Sequence, residues 1–558
     1  MPDIKKTDKA PVAPSFQRLA HQVDKLPPCQ AHCPNSGDIR GWLGMIAQHE
    51  KNGLSLDEAY DRAWSLIAER NPLPATIGRI CPHPCENLCT RRDKDGAVSI
   101  NAMERFIGDW GLSRSLPLPH AGSARCPESI GVVGSGPASL SFAYQMARRG
   151  YEVTIYEQHE MPGGMLRYAI PDFRLPRDVL DAEVARIFEL NITLERDTDI
   201  GGAVGLEELR QRHQLVFLGL GAQAARELGI PGEKGPGVIP GIEYLERHKQ
   251  GTELPAGTKV LVIGGGNTAI DAARSARRDG ADVTLVYRRD RDAMPAMADE
   301  VDGAIDEGVE FRFLAAPVRV LRTDDAVAAV EIQAMQLGDA DESGRRRPEP
   351  IPGELETLPA DTVIVAVAQA PDWGHLDSVA GSETWLRTAA DGRLDFDLWA
   401  GGDDRGASIA SSAIAQGRLA AESAHAQLRG TPPPPLQDRR PAVEHGAVKP
   451  DYYCDGQRAE PVQRPADQRL SNPDQEIVQT LSYDEARHEA ERCMSCGLCF
   501  GCEQCFMYCN QFGFTRIEET RPGHYFAMAL DACEGCGKCI EICPCGYIEL
   551  RAGSDSRQ

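Results

Sequence analysis

Two cysteine runs near the C-terminal end constrain this chain more than any other feature. They read Cys499-x2-Cys502-x2-Cys505-x3-Cys509 and Cys533-x2-Cys536-x2-Cys539-x3-Cys543-Pro544. Three thiolates at two-residue spacing wrap one iron–sulfur cube, and in paired runs the fourth cysteine crosses over to the neighbouring cluster. The expected sets are therefore Cys499, Cys502, Cys505 and Cys543 for one 4Fe-4S site, and Cys533, Cys536, Cys539 and Cys509 for the other. Four thiolates also hold zinc, but the doubled spacing is that of clusters. Asn510 stands where the first run would carry a proline, which bears on the turn rather than on the ligands.

The remaining cysteines are just as unevenly placed. Of 18, five lie between Cys29 and Cys89 and eleven between Cys493 and Cys545, while only Cys454 falls between Cys126 and Cys493. The opening residues MPDIKKTDKAPVAPSFQ have no apolar core of an export signal, so a cytoplasmic location is expected and a disulfide framework is not. No apolar run reaches the roughly 18 residues of a membrane span. Sixty Lys and Arg against 83 Asp and Glu leave a net charge of -23, which opposes binding to nucleic acid or anionic lipid. Metal and redox chemistry remains, spread over the several domains that 558 residues imply.

Between the cysteine-rich ends lie two strand–glycine–helix units. In the first, Gly134-Ser-Gly136-Pro-Ala-Ser139 follows the strand IGVV and precedes SLSFAYQMARRG. Its glycines permit the tight turn and the approach of backbone N–H groups to a pyrophosphate, and the helix N-terminus adds partial positive charge. Ser139 takes the place of the third glycine. The next strand ends in Glu157, 23 residues after Gly134, where an acid accepts from ribose hydroxyls. In the second unit, Gly264-Gly-Gly266-Asn267-Thr268 follows LVI, and the equivalent strand end carries Arg288 and Arg289 in place of an acid. Guanidinium groups suit a 2'-phosphate. The expected cofactors are FAD in the first unit and NADPH in the second, with NADH the alternative if the arginines are a solvated strand end. A third segment, Gly401-Gly402-Asp403 before a long helix, offers Asp403 to a ribityl hydroxyl and a helix N-terminus to a reduced flavin, or else is a turn before a surface helix. Arg167 in GGMLRYAIPDFRLP is a candidate to balance charge on flavin or nicotinamide phosphates, or a structural salt bridge. No Ser-His-Asp, metal-hydrolase or nucleophile signature accompanies these motifs.

These motifs together resemble the glutamate synthase small-subunit family of flavin oxidoreductases, and are similar to the amino-terminal half of dihydropyrimidine dehydrogenase. The residues that carry the resemblance are Cys29-x3-Cys33-Pro, Asn71-Pro-Leu-Pro, Gly78-Arg-Ile-Cys81-Pro, Gly163-Gly164-Met-Leu-Arg167-Tyr, Ile263-Gly-Gly-Gly-Asn267-Thr268, Tyr287-Arg288-Arg289 and Gly401-Gly402-Asp403, over residues 25–428. The tail is similar to a subset with an appended two-cluster ferredoxin-like module, such as the beta subunit of soluble NADPH-dependent iron(III) reductase and a flavoprotein of sulfur oxidisers. The resemblance implies an NAD(P)H domain inserted in an FAD domain, hydride transfer to flavin, and single electrons leaving through clusters. It also implies one cluster held by Cys33, Cys81 and Cys85 with Glu104, a carboxylate at the fourth-ligand position of some relatives. Glu104 as a surface carboxylate, with Cys89 as the fourth ligand, is the alternative.

Relatives carry a Cys-x-x-Cys-Gly pair upstream of the first segment, and this chain has none before Cys29. Glu491-Arg-Cys493-Met-Ser-Cys496-Gly497 reads like that missing pair. One expectation is that the tail folds back so that Cys493 and Cys496 join Cys29 and Cys89; the other is that Cys493 and Cys496 are spare. Three to four 4Fe-4S clusters follow, with Cys126, Cys454 and Cys545 left as ordinary thiols.

The expected architecture is a multidomain α/β chain. It comprises a flexible N-terminus (1–25), a helical 4Fe-4S domain (26–126), an FAD domain (127–256 and 373–428), an NAD(P)H domain (257–372), a proline-rich linker (429–480) and a ferredoxin-like domain (481–552). Three functions fit it. The favoured one is the electron-input subunit of an NAD(P)H:acceptor oxidoreductase whose redox partner docks near the ferredoxin-like module. The others are a stand-alone reductase of ferredoxin, iron(III) or quinone, working in either direction, and a non-catalytic cofactor-bearing assembly module.

Overall fold

The computed structural model describes residues 18–552 apart from 123, 202, 203, 253, 256, 341–343, 382, 437 and 445. Helices Ile39–Ala47, Leu56–Ala68, Pro74–Ile80 and Ile100–Ser113 form the N-terminal layer. Leu56–Ala68 starts on a capping box in which Ser55 accepts from Glu58 N and Glu58 accepts from Ser55 N, so two end donors are satisfied at once. Cys81 ends one helix and Cys85 sits in the next short turn, so the cysteines project from helix ends where the chain bends.

The first dinucleotide unit is a six-stranded sheet in the order Arg393–Asp395, Leu398–Ala400, Leu215–Leu218, Ser129–Val133, Glu152–Tyr156, Ile192–Glu195. It is parallel except at its first pair. The inner strand Leu215–Leu218 is buried throughout, as a sheet covered on both faces requires. The 20-residue helix Ala410–Arg429 lies along Pro137–Ala147, and Gly417 is what lets them meet: a Cβ there would stand 2.0 Å from Ala138 O.

The second unit is a parallel sheet in the order Glu310–Phe313, Asp282–Tyr287, Lys259–Ile263, Thr362–Val365, Val238–Pro240. Val238–Pro240 thus belongs to the second sheet, although the sequence reading put everything before residue 257 in the first. The units are joined where Ala224–Ala225 pairs with Gln369–Ala370. A three-stranded antiparallel sheet (Ala315–Thr323, Ala326–Ala340, Arg346–Pro359) also emerges here, unmarked by the motifs. Its first turn has Asp324 and Asp325 both at positive φ, the geometry of a tight two-residue hairpin.

Two expectations need correcting. The N-terminus through residue 25 is not all loose: Arg18–Gln22 pairs antiparallel with Ile548–Ala552, while residues 1–17 lie outside the described residues. The 429–480 stretch is a strap rather than a free spacer. Arg458 pairs with Glu86, Glu476 with Arg79 and Arg105, and Arg469 with Glu307 of the second unit, while Ile477 N donates to Phe173 O. Between the units, Arg174 grips Asp271 at 2.9 Å through both carboxylate oxygens, and both side chains are buried. Breaking such a pair typically costs about 3–5 kcal/mol.

Candidate redox site

A cavity of about 640 Å³ opens at the C-terminal ends of the first sheet. Gly134, Gly136, Glu157, Gly164, Gly402 and Asp403 all line it. Gly134 has φ +81° and a Cβ there would meet Gly219 O at 2.4 Å. A Cβ on Gly136 would meet no protein atom within 4 Å and would project into this open space, so the glycine leaves room for a ligand. Glu157 is already engaged, accepting from Ser135 N and His159 N at 2.9 Å and from Ser135 Oγ, while Ser135 Oγ accepts from Gly163 N. Ser135 therefore ties the glycine turn, the acidic strand end and the Gly163-Gly164 loop into one rim, a role its small size hid in the sequence.

Of the Asp403-Asp404 doublet, Asp403 faces the cavity and Asp404 is fully buried beneath it, accepting from Leu220 N and Gly221 N. Burial pushes Asp404 up to about 7 and raises Asp403 as well. Arg167 is not part of the lining. Its Nε donates to Pro162 O at 2.6 Å and its guanidinium pairs with Asp181, so it follows the salt-bridge alternative.

The second unit repeats the glycine turn. Gly264 has φ +149°, and a Cβ on Gly266 would meet nothing within 4 Å, leaving the N-terminus of Asn267–Arg278 open to a ligand. Asn267 Oδ1 accepts from Met297 N at 3.0 Å, and Thr268 Oγ1 accepts from Gln369 at 3.3 Å, so both side chains brace neighbouring segments. The arginine pair divides: Arg288 is exposed at the strand end, whereas Arg289 is buried and its Nε donates to Arg346 O at 2.9 Å.

Four cysteine sets gather in space. Cys33, Cys81, Cys85 and Glu104 line one cavity; Asn71 Nδ2 donates to Glu104 at 2.9 Å, and burial pushes the Glu104 carboxyl up to about 7. Cys89 lies elsewhere: with Cys29, Cys493 and Cys496 it lines a second cavity. Burial raises Cys29 and pushes Cys493 and Cys496 up to about 12 and 11. In the tail, burial raises Cys505 with help from Cys499, Cys502 and Cys543, and pushes Cys539 up to about 11 with help from Cys533, Cys536 and Cys509. Among the described residues no three Cys, His, Asp or Glu side chains close on a lone metal ion.

Three segments connect these places. Ala410 and Ala413 line the large cavity while Ser411 and Ile414, on the same helix turn, line the Cys33 cavity, and Cys81 Sγ donates to Ser411 Oγ at 3.6 Å. Ile39 and Ile100 line both N-terminal cysteine cavities. Tyr453 of the strap donates to Met494 O at 2.6 Å and packs its ring on Phe500, 5.8 Å away, between the Cys493 loop and the tail. No sequence motif marked Ser411 or Tyr453.

A flavoprotein with two dinucleotide turns and cysteine-lined cavities is the class this arrangement defines. The pyridine nucleotide-disulphide oxidoreductase family matches residues 128–417, and dihydropyrimidine dehydrogenase domain II, 4Fe-4S cluster, matches residues 22–116. The chain is 35% identical to an NADP(+)-dependent formate dehydrogenase subunit beta of Moorella thermoacetica, over 84% of this chain and 70% of that one. It is 40% identical to an NADPH-Fe(3+) oxidoreductase subunit beta of Geobacter sulfurreducens, over 64% of this chain and 53% of that one. It is 34% identical to a glutamate synthase [NADPH] small chain of Azospirillum brasilense, over 74% and 88%. The chain belongs to the pyridine nucleotide-disulphide oxidoreductase family, in the branch that includes glutamate synthase small chains. It is an FAD- and iron–sulfur-dependent NAD(P)H oxidoreductase. Among the described residues no helix is long and apolar enough to cross a membrane.

Proposed function

We propose that this chain is the electron-input subunit of a larger NAD(P)H:acceptor oxidoreductase, holding FAD in the first unit, NADPH in the second and four 4Fe-4S clusters. When bound, these groups supply hydride acceptance from nicotinamide and release of electrons one at a time. The chain's own residues bind and insulate them. Gly134, Gly136 and the helix after them receive the flavin pyrophosphate, Glu157 and Asp403 its hydroxyls, and Gly264, Gly266 and Arg288 the NADPH phosphates. Cys33, Cys81, Cys85 and Glu104 hold the cluster beside the flavin; Cys29, Cys89, Cys493 and Cys496 the next; the crossed tail sets hold the last two.

The observation that carries this reading is the sharing of walls. A single helix turn, Ala410–Ile414, lines the flavin cavity on one side and the first cysteine cavity on the other, and Ile39 and Ile100 are common to both N-terminal cysteine cavities. The partner docks on the tail, where Cys536, Met507, Tyr508 and Phe512 are exposed. The relatives named as beta subunits and small chains support an assembly of this kind.

The test is anaerobic. Iron and flavin are counted in the reconstituted chain, which is then titrated with NADPH and NADH while the spectrum is recorded. About sixteen iron per flavin and bleaching by NADPH, with poor turnover of small acceptors, supports the reading. About twelve iron removes the Cys29–Cys496 cluster, fast turnover of a soluble acceptor favours a stand-alone reductase, and absence of bleaching favours the assembly module.

A further inference from the structure

Cys545 belongs to neither tail run, yet it is 2% exposed, and its Sγ lies 3.8 Å from Cys543 Sγ. Between two neutral thiols either sulfur can donate. A cysteine that ligates iron does so as a thiolate, which has no proton to give, so beside a ligating Cys543 only Cys545 can be the donor. The same residue also reaches the other way: its backbone C=O accepts from Gly497 N at 2.6 Å, and Gly497 follows Cys496 directly in the chain. Pro544 between them turns its own carbonyl to Lys449 N at 2.8 Å, which fixes this stretch against the strap.

We propose that Cys545 is a positioning residue that sets the reduction potential of the tail cluster ligated by Cys543 and joins it to the Cys29–Cys496 site. The proposal rests on the cluster assignment given above. The Cys545 S–H donates to the Cys543 thiolate and withdraws negative charge from it, and donors to cluster sulfurs raise the potential. Continuity runs from Cys543 Sγ to the Cys545 thiol, along Cys545 to its carbonyl, across one hydrogen bond to Gly497 N and into Cys496. No electron is gained or lost by Cys545 itself; its proton stays on its sulfur and the S–H bond is kept. The thiol left over in the sequence count thus acquires a task, and its contacts add a second link between two ligand sets that the chain already joins through Cys496-Gly497-Leu498-Cys499.

The experiment compares the full holoprotein with Cys545→Ala and Cys545→Ser, counting iron and following each cluster by EPR during an anaerobic redox titration. Alanine removes the donor, and serine restores one through its hydroxyl. The expected result is full iron in all three, one cluster signal moved to lower potential in the alanine variant, and that signal returned most of the way in the serine variant. Stopped-flow mixing with NADPH should leave flavin bleaching unchanged and slow tail-cluster reduction several-fold in the alanine variant only. Full iron with no potential shift in Cys545→Ala overturns the proposal, and so does a serine variant that behaves like alanine. If the alanine variant loses iron, the serine variant alone decides: a potential equal to that of an apolar Cys545→Val control that keeps its iron overturns the donor role. A wild-type chain without the tail cluster signals is a separate outcome, which refutes the cluster assignment.

Discussion

The tail sets and the Cys29–Cys496 set use the same ligand but are built in opposite ways. In the tail, three cysteines of each expected set lie within one seven-residue stretch, so most of the site's geometry is local and one crossing suffices. The other set draws Cys29 and Cys89 from the helical layer and Cys493 and Cys496 from beyond both dinucleotide units. What holds that set together is not cysteine spacing but arginine. Arg40 reaches Lys25 O and Cys496 O at 2.6 and 2.7 Å; Arg91 reaches Arg492 O at 2.6 Å; Arg492 spans Asp95, Glu489 and Ala97 O. Local sets read as motifs, whereas this one is a tertiary interface that happens to carry thiols.

Breaking the distant half should therefore act like removing a domain contact and a cluster together. Replacing both Cys493 and Cys496 with serine is expected to lose about four iron of sixteen and to leave flavin bleaching by NADPH intact while the tail clusters stay oxidised; iron analysis with EPR checks it. Retention of all iron would show that the two cysteines are spare. Arg492→Ala sharpens the same point without touching a ligand. It leaves the buried Glu489 with the backbone donors Ser99 N and Ala459 N but without its ion-pair partner Arg492, and about 3–5 kcal/mol should be lost from the unfolding of the tail interface, measured by denaturant titration.

Glu183 tests the footing of the first cavity. It accepts from Ala75 N and Thr76 N at the start of the helix that ends at Cys81, and burial pushes it up to about 7. A carboxyl raised in the native state holds its proton there while the unfolded chain releases it. Stability is therefore lost as pH rises from the ordinary glutamate range to about 7, by roughly 3 to 4 kcal/mol at the most. Glu183→Gln should flatten that slope in thermal unfolding followed from pH 4.5 to 8, and an unchanged slope would place the protonation elsewhere. The smallest effect concerns Arg288, a purely local feature. Arg288→Gln should raise KM for NADPH about tenfold, the worth of one charge-assisted phosphate contact, with little change for NADH; equal changes for both would make it a solvated strand end.

The glycine turns and the strands and helices that flank them were legible because each depends on neighbours in sequence. Gly136 and Gly266 both open onto empty space, as their motifs require. What escaped were contacts between distant segments. Nothing local marks Ser135 as the tie between Glu157 and Gly163, Ser411 as the neighbour of Cys81, or Val238–Pro240 as an edge of the second sheet. The arginine doublet shows the same limit: in the bend after the strand Arg288 turns outward and Arg289 inward, where its Nε donates to Arg346 O, and nothing local to the pair tells which is which. The proline-rich strap was read from composition as a spacer, but its scattered Arg458, Arg469 and Glu476 find partners on three other segments.

The pairing of Arg18–Gln22 with Ile548–Ala552 sets a clock on biogenesis. More than 500 residues separate the two strands, and at roughly 5–20 residues per second a ribosome needs on the order of a minute to make them. Through that interval the first strand has no mate, and Cys29 and Cys89 have no Cys493. Whatever the two ends hold jointly can form only after the last strand has been made.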